Sequence, residues 1–217
     1  MNQLEDTYKH KGLRRQLVKA ITNKGIKDKN VIAAMGKIPR HFFFDKIFET
    51  HAYEDKAFPI EAGQTISQPY TVAFQTEKLY VKPGDKILEV GTGSGYQTCI
   101  LLEIGAIVYT IEYQKKLYQK AIRFLPAIGY QPHMYYGDGS KGMLRFAPYD
   151  GIIVTAAAPT VPKELIEQLK IGGRLVIPVG NKDLQSMTVI KKMDANKIKK
   201  EAFDHFSFVP LRGARGH

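Results

Sequence analysis

The 217-residue sequence predicts an α/β fold, a doubly wound and mostly parallel sheet with an N-terminal helical extension and a terminal antiparallel hairpin. Three observations predict it. From Lys86 onward, short runs rich in Ile, Val and Tyr alternate with helical patterns, the rhythm of parallel strands joined by right-handed crossovers. The run Ile87-Leu88-Glu89-Val90 passes straight into Gly91-Thr92-Gly93-Ser94-Gly95-Tyr96, a strand giving way to a glycine turn and then a helix N-terminus. The last third offers apolar runs at 174–178, 187–192 and 198–208 with turn residues between them, which reads as a strand followed by a hairpin.

Residues 9 to about 48 read as helical, because Leu13, Leu17, Val18 and Ile21 recur at helical spacing. Gly25 is a stop, Asp28 the next N-cap and Pro39 a break. Lys9, Lys11, Arg14, Arg15 and Lys19 interleave with those apolar positions and are expected to form a solvated face. Tyr53 to Pro69, with Pro59 and Gly63, reads as irregular. A helix from about Tyr70 to Tyr80 follows, with Ser67 or Gln68 as its expected cap. Pro83-Gly84-Asp85 punctuates the boundary between an extension, 1–82, and a core, 83–217, within a single domain.

In the core, Lys86–Val90 is the first strand and Tyr96 to Ile104 a helix that Gly105 ends. Residues 107–111 form the second strand, closed by Glu112, and a helix runs to about Leu125. His133 to Tyr136 and Asp150 to Thr155 are the third and fourth strands. Pro162 suits the first turn of a helix, and Gly172-Gly173 is expected to turn the chain into Arg174–Pro178.

Hydrophobic residues make up 44% and charged residues 24%, near the globular average, which disfavours a disordered or membrane class. No apolar stretch approaches the roughly 20 residues of a membrane-spanning helix, and the polar N-terminus lacks a secretory pattern, so a cytoplasmic location is expected. The single cysteine, Cys99, flanked by Ile100 and Leu101, is expected to be a core residue. The six histidines lack ligand spacing, so no metal site is expected. The net charge of +11 invites a nucleic-acid reading, but the basic residues are not interleaved with stacking aromatics, and no specific nucleic-acid partner is expected.

The chemistry should lie at the carboxyl ends of the strands. Three acids stand there: Glu89, Glu112 and Asp138, the last inside Gly137-Asp138-Gly139. Glu112 lies 21 residues beyond Gly91, the separation at which a carboxylate meets the two hydroxyls of a ribose. Asp138 suits an adenine amino group, with Gly139 exposing a backbone N–H to the ring nitrogens, and Glu89 suits an ammonium end, directly or through the turn. Tyr96 stands where a dinucleotide fingerprint requires its third glycine, which argues against a dinucleotide. Gln64-Thr65-Ile66-Ser67-Gln68-Pro69-Tyr70 adds a hydroxyl and a helix N-terminus, a seat for a carboxylate.

With an acid just before its first glycine, the turn resembles motif I of class I S-adenosylmethionine-dependent methyltransferases. Thr65-Ile66-Ser67-Gln68-Pro69, Leu88 to Tyr96, Gly137-Asp138-Gly139, residues 153–159 and residues 173–180 together, in that order and spacing, resemble the protein-L-isoaspartate O-methyltransferase family. The likeness runs from Pro39-Arg40-His41-Phe42 to Phe208-Val209-Pro210-Leu211, and its serine segment is more diagnostic than the glycine turn. It implies a Rossmann-like fold and methyl transfer from S-adenosylmethionine to the free α-carboxylate of isoaspartyl residues in damaged proteins, with repair through a succinimide. It implies Ser67 as the active-site serine, with backbone near Ile66, Gln68 and Val209 holding the peptide. Glu89, Gly91, Thr92, Gly93, Gly95, Glu112, Asp138 and Gly139 become cofactor contacts; separately from the resemblance, a monomer is expected. Three positions depart from the family pattern: Glu61-Ala62-Gly63 for Gly-His-Gly, Met143 for tryptophan and Tyr113 for arginine. Methylation of RNA or of a small molecule, or a non-catalytic nucleotide-binding module, are the alternatives; the first leaves the serine segment unexplained, and the second would call for loss of Glu112, Asp138 or Ser67, all of which are present.

Overall fold

The structure, a computed structural model, describes residues 4–181 and 184–216. Helix α1 (Tyr8–Asn23) starts at Thr7, whose side chain accepts the His10 N–H while the His10 ring accepts the Thr7 N–H. Leu17 and Ile21 are buried, as their spacing predicts, but Arg14 does not join the solvated face. Its guanidinium is buried across the Asp6 carboxylate (2.8 and 3.0 Å), the Tyr53 hydroxyl (3.1 Å) and the Gly36 carbonyl (2.8 Å). An arginine so fully satisfied can leave water, and helical periodicity alone does not reveal its partners. Helix α2 (Lys29–Lys37) begins at Asp28, which accepts the N–H groups of Asn30 and Val31.

Beyond Pro39 the expected α-helix gives way to two 3-10 turns, Arg40–Phe43 and Lys46–His51. The proline forces Ile38 into extended backbone, so the helix cannot carry through. The irregular stretch contains a small antiparallel pair, β1 (Phe58–Pro59) and β2 (Thr65–Ile66), too short to show a strand period. Helix α3 (Pro69–Leu79) then ends at Tyr80, which adopts a left-handed φ of 57°.

The main sheet has seven strands: β3 (Lys86–Val90), β4 (Ile107–Glu112), β5 (His133–Tyr136), β6 (Tyr149–Val154), β7 (Leu169–Gly180), β8 (Gln185–Lys192) and β9 (Ile198–Phe206). Their order is β5-β4-β3-β6-β7-β8-β9, parallel through β7 and antiparallel beyond it. Helices α4 (Tyr96–Ile104), α5 (Lys115–Ala127) and α6 (Lys163–Glu167) lie between the strands in the chain. The chain leaves β3 toward β4 and β5, then returns to β6 on the opposite side. That reversal opens a crevice above the end of β3. Strand β9 is an outer edge; Lys199 and Lys200 stand exposed along it, and Lys197 stands exposed in the turn before it.

Alternation along the strands builds two cores. Leu88, Val90, Ile152, Val154, Leu175 and Ile177 pack on one face with Leu165 of α6. Ile87, Ile153 and Val176 pack on the other with α3, α4 and the helices of the extension. Cys99 is buried there, and burial pushes its thiol well above the ordinary range. No helix among the described residues is long and apolar enough to cross a membrane.

Gly172-Gly173 does not turn the chain into a strand, because β7 already begins at Leu169 and runs through both glycines as a bulge. Tyr149 pairs with Leu169 but Gly151 with Arg174, and Gly172 takes a φ of 87°. A Cβ on Gly173 would meet the carbonyl oxygens of Lys170, Asp150 and Tyr149 at 2.9–3.1 Å. Gly173→Ala is therefore expected to destabilise the fold by about 1–3 kcal/mol, measured as a lower midpoint in urea. An unchanged midpoint would show that the bulge accommodates a side chain.

Candidate active site

At the end of β3 the chain must turn over the crevice before α4 begins, and glycine makes the turn. Gly91, Gly93 and Gly95 all have positive φ, at 96°, 54° and 85°. A Cβ on Gly91 would strike the Thr155 hydroxyl, which donates to the Gly91 carbonyl at 2.6 Å. Thr155 follows β6 directly, so this bond ties the two sides of the crevice. Thr92 is buried, its hydroxyl 2.6 Å from that of Thr110 on β4.

Of the three acids, Glu112 faces this turn directly. The Glu112 carboxylate accepts the Gly93 N–H on one oxygen and the Gln114 N–H on the other, each at 2.8 Å. Burial raises its pKa, against the lowering effect of those bonds, and it lines the crevice with Gly91, Gly93 and Gly139. Each oxygen keeps a lone pair for a further donor. Glu89 is wholly buried and accepts the Thr98 hydroxyl on Oε2, while Oε1 has no partner among the described residues. Burial drives its pKa up to about 8, with the nearby Thr110 and Thr98 hydroxyls opposing and the Glu112 charge adding.

Asp138 sits differently. Its oxygens accept the N–H groups of Ser140 and, from the C-terminal segment, Ala214, each at 2.8 Å. Burial would raise its pKa, but these bonds and the Ser140 hydroxyl leave it below the ordinary value. Gly139 beside it does reach the crevice wall, where a Cβ would collide with Ile111 and Val90.

The serine segment forms a second wall. The pocket beside Ser67 and the crevice above β3 share Thr65, Gly91, Gly93 and Thr155, so the two are contiguous. Ile66 is buried and Ser67 half-buried, and the Ser67 hydroxyl makes no hydrogen bond among the described residues. Gln68 occupies the cap position of α3 without a side-chain capping bond. Instead its amide donates to the Asp55 carbonyl at 3.0 Å, and the Asp55 carboxylate accepts the Tyr70 N–H at 2.8 Å. Gln68 is thus the cap by position, but neither its side chain nor that of Ser67 caps the helix, and with Pro69 lacking an N–H and the Tyr70 N–H taken, the first two positions of α3 offer no free donor. A donor for a carboxylate here is the Ser67 hydroxyl. Val209 closes the same rim, its carbonyl accepting the Ala157 N–H at 2.9 Å, and Leu211 returns a bond to the Ala157 carbonyl at 2.7 Å.

Sequence reasoning missed Thr155 and Asp55. Thr155 was findable as the residue ending a strand beside the reversal, whereas nothing local links Asp55 to α3. The fold also brings Asp6, His10 and His41 together, although their donor atoms are engaged: Asp6 by Arg14, His10 by Thr7 and His41 by Tyr53 and the Glu5 carbonyl.

The residues present fit an adenosylated sulfonium cofactor. The spare acceptors of Glu112 and a crevice kept open by glycine offer what a ribose and a closely approaching backbone require, whereas the unpartnered Glu89 oxygen is wholly buried and does not line that crevice.

Comparisons with known proteins agree. The family model "Protein-L-isoaspartate(D-aspartate) O-methyltransferase (PCMT)" matches residues 12–216. A Christiangramia forsetii protein named protein-L-isoaspartate O-methyltransferase is 58% identical over 209 residues, covering 96% of this chain and 98% of its own. A Flavobacterium psychrophilum protein of the same name is 56% identical, with the same coverage of each chain. A solved protein-L-isoaspartate O-methyltransferase superposes with a TM-score of 0.82 at 28% identity, over 93% of this chain and 67% of that one. Matched by one family model over almost its whole length, and more than half identical to full-length relatives, this chain belongs to the protein-L-isoaspartate O-methyltransferase family.

Proposed function

We infer that this chain transfers a methyl group from S-adenosylmethionine to the free α-carboxylate of isoaspartyl residues in damaged proteins and peptides. The observation that carries this reading is the free Ser67 hydroxyl, on a wall shared with the glycine-lined crevice. In it, residues 1–82 are the substrate-side extension of a single domain. Ile66, Gln68 and Val209 flank the peptide, and Glu89, Gly91, Thr92, Gly93, Gly95, Glu112, Asp138 and Gly139 hold the cofactor. Isoaspartyl chains are the partners of a cytoplasmic monomer, and nucleic acid is not a specific one.

When bound, S-adenosylmethionine supplies a methyl group on positively charged sulfur. The acceptor needs no general base, because an α-carboxyl ordinarily titrates at about 3.3 to 3.7 and is already ionised at neutral pH. What the protein must do is strip water from that carboxylate and hold one oxygen in line. Such positioning is worth roughly 7 to 11 kcal/mol in favourable cases. Opposite charges cancel as the bond forms, so a strong ionic partner on the carboxylate would stabilise the reactants more than the transition state. One neutral hydroxyl, Ser67, orients it without that penalty. The methyl ester leaves the site and cyclises spontaneously to a succinimide, which reopens in part to normal aspartate.

Ser67→Ala is expected to lower turnover on an isoaspartyl peptide roughly 10- to 100-fold, the scale of one hydrogen bond to a charged group, with S-adenosylhomocysteine affinity nearly unchanged. Equal turnover in the variant would remove the role. The activity itself is tested with labelled S-adenosylmethionine and two peptides differing only in isoaspartate against aspartate. Base-labile label on the isoaspartyl peptide alone is expected; label on neither, or on RNA, would sink the reading.

Glu89 adds a pH dependence. Its folded pKa of about 8 lies above the ordinary glutamate value of 4.5, so the folded state holds its proton longer and stability falls as pH rises from about 4.5 through 8. Glu89→Gln is expected to flatten that decline in the cofactor-free protein, by at most roughly 5 kcal/mol. Thermal unfolding across pH 5 to 9 measures it, and parallel curves for the two proteins would show that Glu89 titrates normally.

A further inference from the structure

Arg40 is among the largest side chains fully removed from solvent, 1% exposed, yet no carboxylate pairs with it in any ion pair among the described residues. Asp55, whose charge acts on it, is salt-bridged to Lys24 at 2.6 Å. Its Nε donates to the Ala52 carbonyl at 3.0 Å and its Nη2 to the Ser67 carbonyl at 2.8 Å. Its Cζ lies 4.5 Å from the centre of the Tyr96 ring, and Nη1 has no partner. Burial lowers its pKa to about 10. A buried, incompletely paired guanidinium is a poor way to gain stability, because an apolar side chain of similar volume would pack without the desolvation cost.

What the guanidinium does achieve is a connection. Ser67 carries the hydroxyl assigned to the acceptor, and Tyr96 is the first residue of α4, immediately after the glycine turn that lines the crevice. The Arg40 guanidinium reaches both, donating to the Ser67 carbonyl through Nη2 and lying over the Tyr96 ring, a pairing of fixed fork and cation–π contact that the point charge of lysine does not reproduce. We propose that Arg40 is a positioning residue, fixing the Ser67 backbone against Tyr96 so that the hydroxyl, and the carboxylate it binds, stay aligned with the cofactor crevice. It acts through the Ser67 carbonyl and leaves its charge off the substrate. The proposal rests on the assignment of Ser67 above.

A double-mutant cycle tests both and separates them. Wild type, Arg40→Lys, Ser67→Ala and the double variant are compared for kcat and KM on an isoaspartyl peptide, and for S-adenosylhomocysteine Kd. Arg40→Lys is expected to lower kcat 10- to 100-fold, the cost of a small misalignment, with Kd within about threefold. In the Ser67→Ala background the same substitution is expected to change kcat less than about twofold, because the group it positions is gone. An equal loss in both backgrounds, or wild-type kcat in Arg40→Lys, overturns the Arg40 role. Wild-type turnover in Ser67→Ala alone overturns the serine assignment. If Arg40→Lys fails to bind S-adenosylhomocysteine, Tyr96→Leu, which removes the stacking surface and keeps the charge, carries the same cycle with the same expectations.

Discussion

Strand β3 has a parallel neighbour on each side, and neither neighbour is reached by the connection that leaves it on the other side. That is the constraint on which the site depends. With β4 and β6 on opposite sides of β3 and reached by different connections, the chain leaves the end of β3 through a tight turn into α4. The turn demands glycine, the crevice beside it needs a bond to keep its two walls together, and Thr155 supplies that bond by gripping the Gly91 carbonyl. The glycines, Glu112 and the residue ending β6 are consequences of one topological event.

The site is also where the molecule tolerates electrostatic cost. Glu89 and Arg40 are both buried and both leave an atom without a partner, whereas Arg14, equally large and charged, is satisfied on every side of its fork. A folding-driven interior resembles Arg14. Glu89 bonds Thr98 of α4 and Arg40 bonds the Ser67 carbonyl, so these two incomplete groups hold elements that border the crevice. They fit a reaction between opposite charges, in which the protein gains by excluding water and supplying geometry rather than by adding strong ion pairs.

Much of this was legible in the order of residues. The parallel strands announced themselves through apolar runs, and the cofactor side through Glu112 at its distance from Gly91. These signals are local, or repeat at a set spacing. What stayed hidden was joined across long separations: Asp55 capping α3, Arg14 folding onto Asp6 and Tyr53, and Arg40 reaching Ser67. The strands β1 and β2 were invisible because two residues display no period, and the bulge at Gly172-Gly173 because its punctuation matches that of a turn. Asp138 was legible as a site residue but not as the anchor of the C-terminal segment, since Ala214 lies 76 positions away.

The lysines along β9 acquire a physical meaning from their place in the sheet. An outer strand offers a row of unpaired backbone groups to any extended polypeptide, and strand addition there is a route to aggregation. An enzyme that handles damaged, partly unfolded chains meets such polypeptides in the course of its work. Lys199 and Lys200 set charge along that margin and Lys197 at its start, and the Lys199–Glu201 pair holds part of it in place. Much of the basic character of this hairpin then serves to keep a repair protein from adhering to what it repairs.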